Sequence, residues 1–176
     1  MENVLYEYRF DTGGFLSVFI PLIIGLAVLV AAVLIGTKRK RRVVGIILFI
    51  VAFVLCGATV SEVAFMISDH VTVSNAIKNG TYGVVEGYVS DFKEPKDNED
   101  GFESFKINNV VFNYYDDSRF CGYHTPKSKG GVITGNGQYL TVKYAVVQRP
   151  ANNALLIIPN GYDYQTVIIY IAEKTE

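Results

Sequence analysis

His70 and His124 are the two side chains of this chain able to act as bases near neutral pH. His124 stands in a polar stretch with Asp116, Asp117, Cys121 and Ser128, so a Cys–His or Ser–His pair is the first chemistry to weigh. Such a pair needs a frame that holds both groups within hydrogen-bond reach, and no nucleophile elbow surrounds either candidate. The expectation is a protein that is not an enzyme, with His124 a surface side chain. The acidic run Asp97-Asn98-Glu99-Asp100-Gly101 raises calcium binding next. Setting Gly101 at the sixth position of an EF-hand loop puts Lys96 first and Ile107 twelfth, where carboxylates are required. The motif fails, and the run reads as a solvated turn. Cys56 and Cys121 form no CxxC and no Cys/His cluster, so no metal site and no cofactor are expected. Cys121 is free, buried or an intermolecular link.

The elements that must position these groups begin with two apolar runs. Half of the 176 residues are hydrophobic and 19% are charged, against about 25% in an average soluble domain. Residues 15–37 contain no ionisable side chain, and a second such run opens at Val43 and meets its first charge at Glu62. Each is long enough for a transmembrane helix, placed at residues 15–37 and 43–67. Pro21 is expected to bend the first. Ala27/Ala31 and Ala32/Gly36 are pairs of small residues at the spacing that lets helices approach closely. A cleaved signal peptide fits poorly, because Glu2, Glu7 and Asp11 outnumber Arg9 before the first run. Between the runs lie Lys38-Arg39-Lys40-Arg41-Arg42. Short basic loops stay cytoplasmic, which sets residues 1–14 and the C-terminal part outside. The expected location is a bacterial cytoplasmic membrane, crossed twice, with the lipid bilayer as one partner.

After a connector at residues 68–80, hydrophobic periodicity changes toward two, and residues 81–176 read as an extracytoplasmic β-domain able to fold by itself. Thr81 to Phe92 reads as a strand kinked at Gly83 and Gly87, and residues 103–115 as a hairpin about Asn108-Asn109. Val132-Ile133 suits a short strand, Gln138 to Gln148 a longer one, and Ala154 to Ile158 another. Residues 163–172 suit a strand or a short helix equally. The fold class expected is membrane-anchored α+β, a helix hairpin followed by a small antiparallel OB-like barrel, with a small β-sandwich as the alternative.

Glu86-Gly87-Tyr88-Val89, Phe92, Glu103-Ser104-Phe105, Asn108, Val111-Phe112, Tyr114, Asp116, Gly130-Gly131, Gly137, Leu140, Val142 and Tyr144 form a recognisable series. It resembles an uncharacterised bacterial small-protein β-domain family with the pattern EGxVxxF, ESFxVNGVxFxYSD, GG and GxxLxVxY, over residues 80–158 only. Asn109 stands where that family usually has Gly, and Tyr115-Asp116-Asp117 where it has Tyr-Ser-Asp. The resemblance implies a secreted or membrane-tethered β-domain and brings no catalytic residue.

Residues 116–137 form a long loop, and loops beyond ~12–15 residues without structure of their own are usually functional or disordered. Tyr115, Asp116, Arg119, Phe120, Tyr123 and His124 give it the Tyr- and Arg-rich composition of protein-binding hot spots. The expected function is therefore a tethered protein-binding module, of a recognition, immunity or exclusion type. The alternative is an accessory subunit of a membrane protease or transporter, contacting it through the helix hairpin. Residues 68–176 hold ten Lys/Arg against thirteen Asp/Glu, which speaks against nucleic acid as a partner.

Overall fold

The computed structural model describes residues 2–10, 16–37, 41–97, 102–117, 121–150 and 162–174. The chain forms two compact units, one of residues 11–68 and one of residues 1–10 with 69–176.

The first unit is an apolar helix pair. Helix α1 spans Phe19–Gly36, and helix α2 spans Arg42–Asn79, its first part lying in this unit. Both are long and apolar enough to cross a membrane. Their burial runs opposite to that of a water-soluble core. Large side chains such as Val43 and Phe53 face outward at 71% exposure, while the small Gly25, Ala32 and Ala52 are inside. A Cβ built on Gly45 would lie 2.6 Å from the Gly36 Cα and 3.0 Å from the Ala32 carbonyl oxygen, so backbone meets backbone there. Ala32/Gly36 is thus the small-residue pair in use, and Ala27 is exposed. Leu16 and Ser17 are already helical, and the chain breaks to a turn at Val18 before α1 resumes at Phe19, so the helix is locally irregular three residues ahead of Pro21.

The second helix does not stop at residue 67. It continues through the expected connector to Asn79 because Val73 and Ala76 find apolar partners in the second unit. Gly80, at φ +67°, ends it, with the Thr81 N–H donating to the Ala76 carbonyl at 2.9 Å.

The second unit is a six-stranded antiparallel sheet of β1 (Glu2–Glu7), β2 (Gly83–Lys93), β3 (Glu103–Ile107), β4 (Val110–Tyr114), β5 (Tyr139–Pro150) and β6 (Tyr162–Lys174). Its order is β1-β6-β5-β2-β3-β4. The hairpin about Asn108-Asn109 forms as expected, with Asn108 at φ +53°. Val132-Ile133 is not a strand, although Ile133 is fully buried. Residues 154–158 lie outside the described residues.

The expected closed barrel is not formed. β1 and β4 are the two edges of the sheet and no ladder joins them, and β1 pairs with β6 only from Tyr170 to Lys174. The sheet curls enough for the Thr166 hydroxyl to donate to the Val111 carbonyl at 2.9 Å, without a backbone ladder between β6 and β4. Inside the curl, Val89, Phe105, Ile107, Phe112, Leu140, Val142 and Ile171 make the main core. On the other face, Val73 and Ala76 of α2 cover Ala145, Val147, Val167 and Ile169.

Candidate functional site

The loop after β4 is built around Glu103, which β3 places at 0% exposure. Both of its carboxylate oxygens accept the Lys127 N–H, at 3.2 and 3.0 Å, and one also accepts the Tyr114 hydroxyl. Burial raises the Glu103 carboxyl above its ordinary range, against the opposing pull of those two donors. Burial likewise holds the Tyr114 hydroxyl well above the ordinary phenol value, with Glu103 adding to it.

The rest of the loop hangs on this frame. The Tyr123 N–H donates to the Ile168 carbonyl at 3.0 Å, and its hydroxyl accepts the Val132 N–H at 2.7 Å. Gln138 accepts the Thr134 N–H at 2.9 Å and donates to the Val132 carbonyl at 3.0 Å. Asn136 accepts the Phe92 N–H at 2.9 Å. Gly130 takes a left-handed conformation at φ +83° to end a short 3-10 turn, Lys127–Lys129. Next to it, a Cβ on Gly131 would lie 2.1 Å from the Thr125 carbonyl oxygen and 2.6 Å from the Tyr123 hydroxyl. Gly131 is therefore a packing requirement of the loop, and Gly130 a conformational one. Gly131→Ala is expected to cost ~1–3 kcal/mol, as overpacking does, and a thermal-melting comparison with wild type checks it.

The loop residues singled out from the sequence do not all share one surface. Tyr123 is a core residue at 5% exposure, its ring edge-on to Tyr114 and Tyr6 at 5.1 Å in each case. Burial pushes its hydroxyl up to about 12. Asp116 is exposed and ion-paired with Lys129. Tyr115 is half-buried, edge-on to Phe102 at 5.6 Å. His124 is half-buried, and its Nδ1 donates to the Gly122 carbonyl at 2.9 Å. Arg119 and Phe120 lie outside the described residues.

A second cluster escaped sequence reasoning, because its members are far apart in the chain. The Cys121 thiol donates to the Tyr8 hydroxyl at 3.1 Å, and that hydroxyl lies 2.8 Å from His70 Nδ1. Ser74 Oγ stands 3.5 Å from His70 Nε2, one helical turn on, and the Phe10 ring lies on the imidazole at 4.4 Å. With the proton on Nε2, the chain runs in one direction, from thiol to phenol to imidazole to Ser74. Burial is the main cause that raises the Tyr8 hydroxyl, with Cys121 next. The thiol is thus hydrogen-bonded to a phenol, and the cluster ties β1, α2 and the loop together. Cys121 is not in a disulfide.

On the outward face of the sheet, Tyr88 is 66% exposed and edge-on to Tyr139 at 4.9 Å. The Tyr139 hydroxyl donates to Glu86 at 2.9 Å, and Lys143 lies over the Tyr170 ring at 4.4 Å. These two pairs face out because the sheet presents a solvated side there. Among the described residues, no group of three or more His, Cys, Asp or Glu side chains could hold a metal ion. No protein-family model, curated protein or solved structure matches this chain.

Proposed function

We propose that the protein is a non-enzymatic membrane-tethered binding module, with two membrane-spanning helices and a β-domain displayed on the extracytoplasmic side. One observation carries this reading: β1, which precedes both apolar helices, is a strand of the same sheet as β6. Residues 2–7 and 83–174 then share a compartment, so the chain between them crosses a membrane an even number of times. Two apolar helices of spanning length satisfy that count, and the outward-facing large side chains suit lipid better than water. The pairing also argues against signal cleavage, which would remove β1 from its sheet. The basic run at residues 38–42 sets the orientation.

Recognition of another protein is assigned to the loop end, through Tyr115, Asp116 and His124 and, by sequence alone, Arg119 and Phe120. The Glu103, Tyr123 and Gln138 hydrogen bonds support it, because a loop held in advance loses little entropy on binding.

A cysteine in place of the exposed Ser128 is expected to react with an impermeant thiol reagent on intact cells, and one in place of Thr37 is not. The Cys121→Ser background keeps a donor for Tyr8. The reverse labelling pattern rejects the orientation. Photocrosslinkers at Asp116 and at Val54 then locate the partner. Crosslinks from Val54 alone would move recognition to the helices and favour an accessory subunit of a membrane complex.

A further inference from the structure

We infer that the loop end of the helix pair is a binding site for one anionic phospholipid of the cytoplasmic leaflet. This inference rests on the membrane reading above. A groove of about 330 Å³ opens there between the helices. Its floor is Ala32, Gly36 and Gly45, its walls include Ile46 and Phe49, and Arg42 stands at one end. The floor is low because the helices meet backbone to backbone at Gly36 and Gly45. Ile46 and Phe49 are 60% and 51% exposed, so the groove is open to its surroundings along an apolar wall. An acyl chain fits that environment, since it brings no polar group that needs a partner.

The end marked by Arg42 has different chemistry. Arg41 and Arg42 are both exposed, and Arg42 is the first residue of α2. The first turn of α2 contains no acidic residue, so the positive end of the helix dipole adds to the guanidinium charge. A phosphodiester next to an apolar tail complements that arrangement in both charge and polarity. A second copy of the chain would complement it poorly. Packed side by side in the same orientation, it would bring its own five basic residues to the same depth.

The test uses the full chain, purified in mild detergent and titrated with phosphatidylglycerol or phosphatidylcholine under native mass spectrometry. One phosphatidylglycerol is expected to be retained in preference to phosphatidylcholine. Arg42→Gln should weaken retention about five-fold, the factor equivalent to ~1 kcal/mol per basic residue. Gly36→Leu should abolish it by filling the groove. A Cβ at Gly36 lies at an ordinary 3.8 Å from the Gly45 Cα, so the helix contact has room for the start of that side chain. Equal retention of the two lipids would overturn the inference. So would unchanged phosphatidylglycerol retention in Gly36→Leu, which would mean a diffuse charge effect. A chain released from membranes by alkaline carbonate would overturn the membrane reading itself. A chain that stays embedded and binds neither lipid selectively overturns only this site.

Discussion

Glu103→Ala is expected to lower the stability of the β-unit by ~3–5 kcal/mol, while Glu103→Gln costs far less at neutral pH. The alanine leaves the Tyr114 hydroxyl and the Lys127 N–H without their acceptor, each a loss of about 1–3 kcal/mol in a buried setting. It also opens a cavity beneath the loop, which adds to the cost. Glutamine keeps the volume and one carbonyl acceptor for Lys127, and turns its amide toward the Tyr114 oxygen. The carboxyl's value is raised in the folded state, mainly by burial. A group of that kind stabilises most fully below its unfolded value of about 4.3 and loses the contribution as pH rises through the folded value. Wild type should therefore lose ground to Glu103→Gln between mildly acidic and neutral pH. Thermal melts of the full chain in detergent across that range check the sign. Parallel losses in both variants at every pH would show that the ionised carboxylate is required.

The second large effect concerns β1. A fragment of residues 69–176 is expected to aggregate or remain unfolded, and fusing residues 2–10 to it through a flexible linker should restore a folded, monomeric β-unit. Leu5 and Tyr6 pack against the main core, and Tyr8 against the second cluster. The Tyr8 N–H also donates to the Ile169 carbonyl at 2.8 Å. Removing three half-buried side chains forfeits ~3–5 kcal/mol, a large share of the ~5–15 kcal/mol that stabilises a domain. It also bares the Ile169–Lys174 edge of β6, whose Ile169-Tyr170-Ile171-Ala172 is apolar and β-forming. Circular dichroism and size-exclusion chromatography on the two proteins decide the matter. An equally folded fragment without residues 2–10 would make β1 an accessory edge and weaken the same-compartment argument.

This second expectation reverses what the sequence suggested, namely a C-terminal β-domain complete from residue 81 onward. Nothing local in Glu2-Asn3-Val4-Leu5-Tyr6-Glu7 distinguishes a sheet strand from a short polar leader. Its partner, β6, lies beyond both apolar helices, and a pairing across that distance leaves no periodic trace. The ambiguity at residues 163–172 has a related cause. There, Ile168 and Ile171 face the main core, while Val167 and Ile169 face the end of α2. Burial on both faces removes the alternation that identifies a strand.

The sequence by itself determined the features governed by near neighbours. Uninterrupted apolar length defined the two helices, the basic run between them marked the junction, and Asn108-Asn109 marked the hairpin. Tertiary structure alone decided that β1 completes the sheet and that β4 ends it as an open edge. It also turned Tyr123 from a surface ring into core, made Glu103 the buried anchor of the loop, and brought Tyr8, His70 and Cys121 together. The division has a physical basis. Helix length and turn type follow from backbone preferences and solvent partition of residues a few positions apart. The burial of a carboxylate or a phenol depends instead on which distant strands reach it first, and only the folded chain resolves that competition.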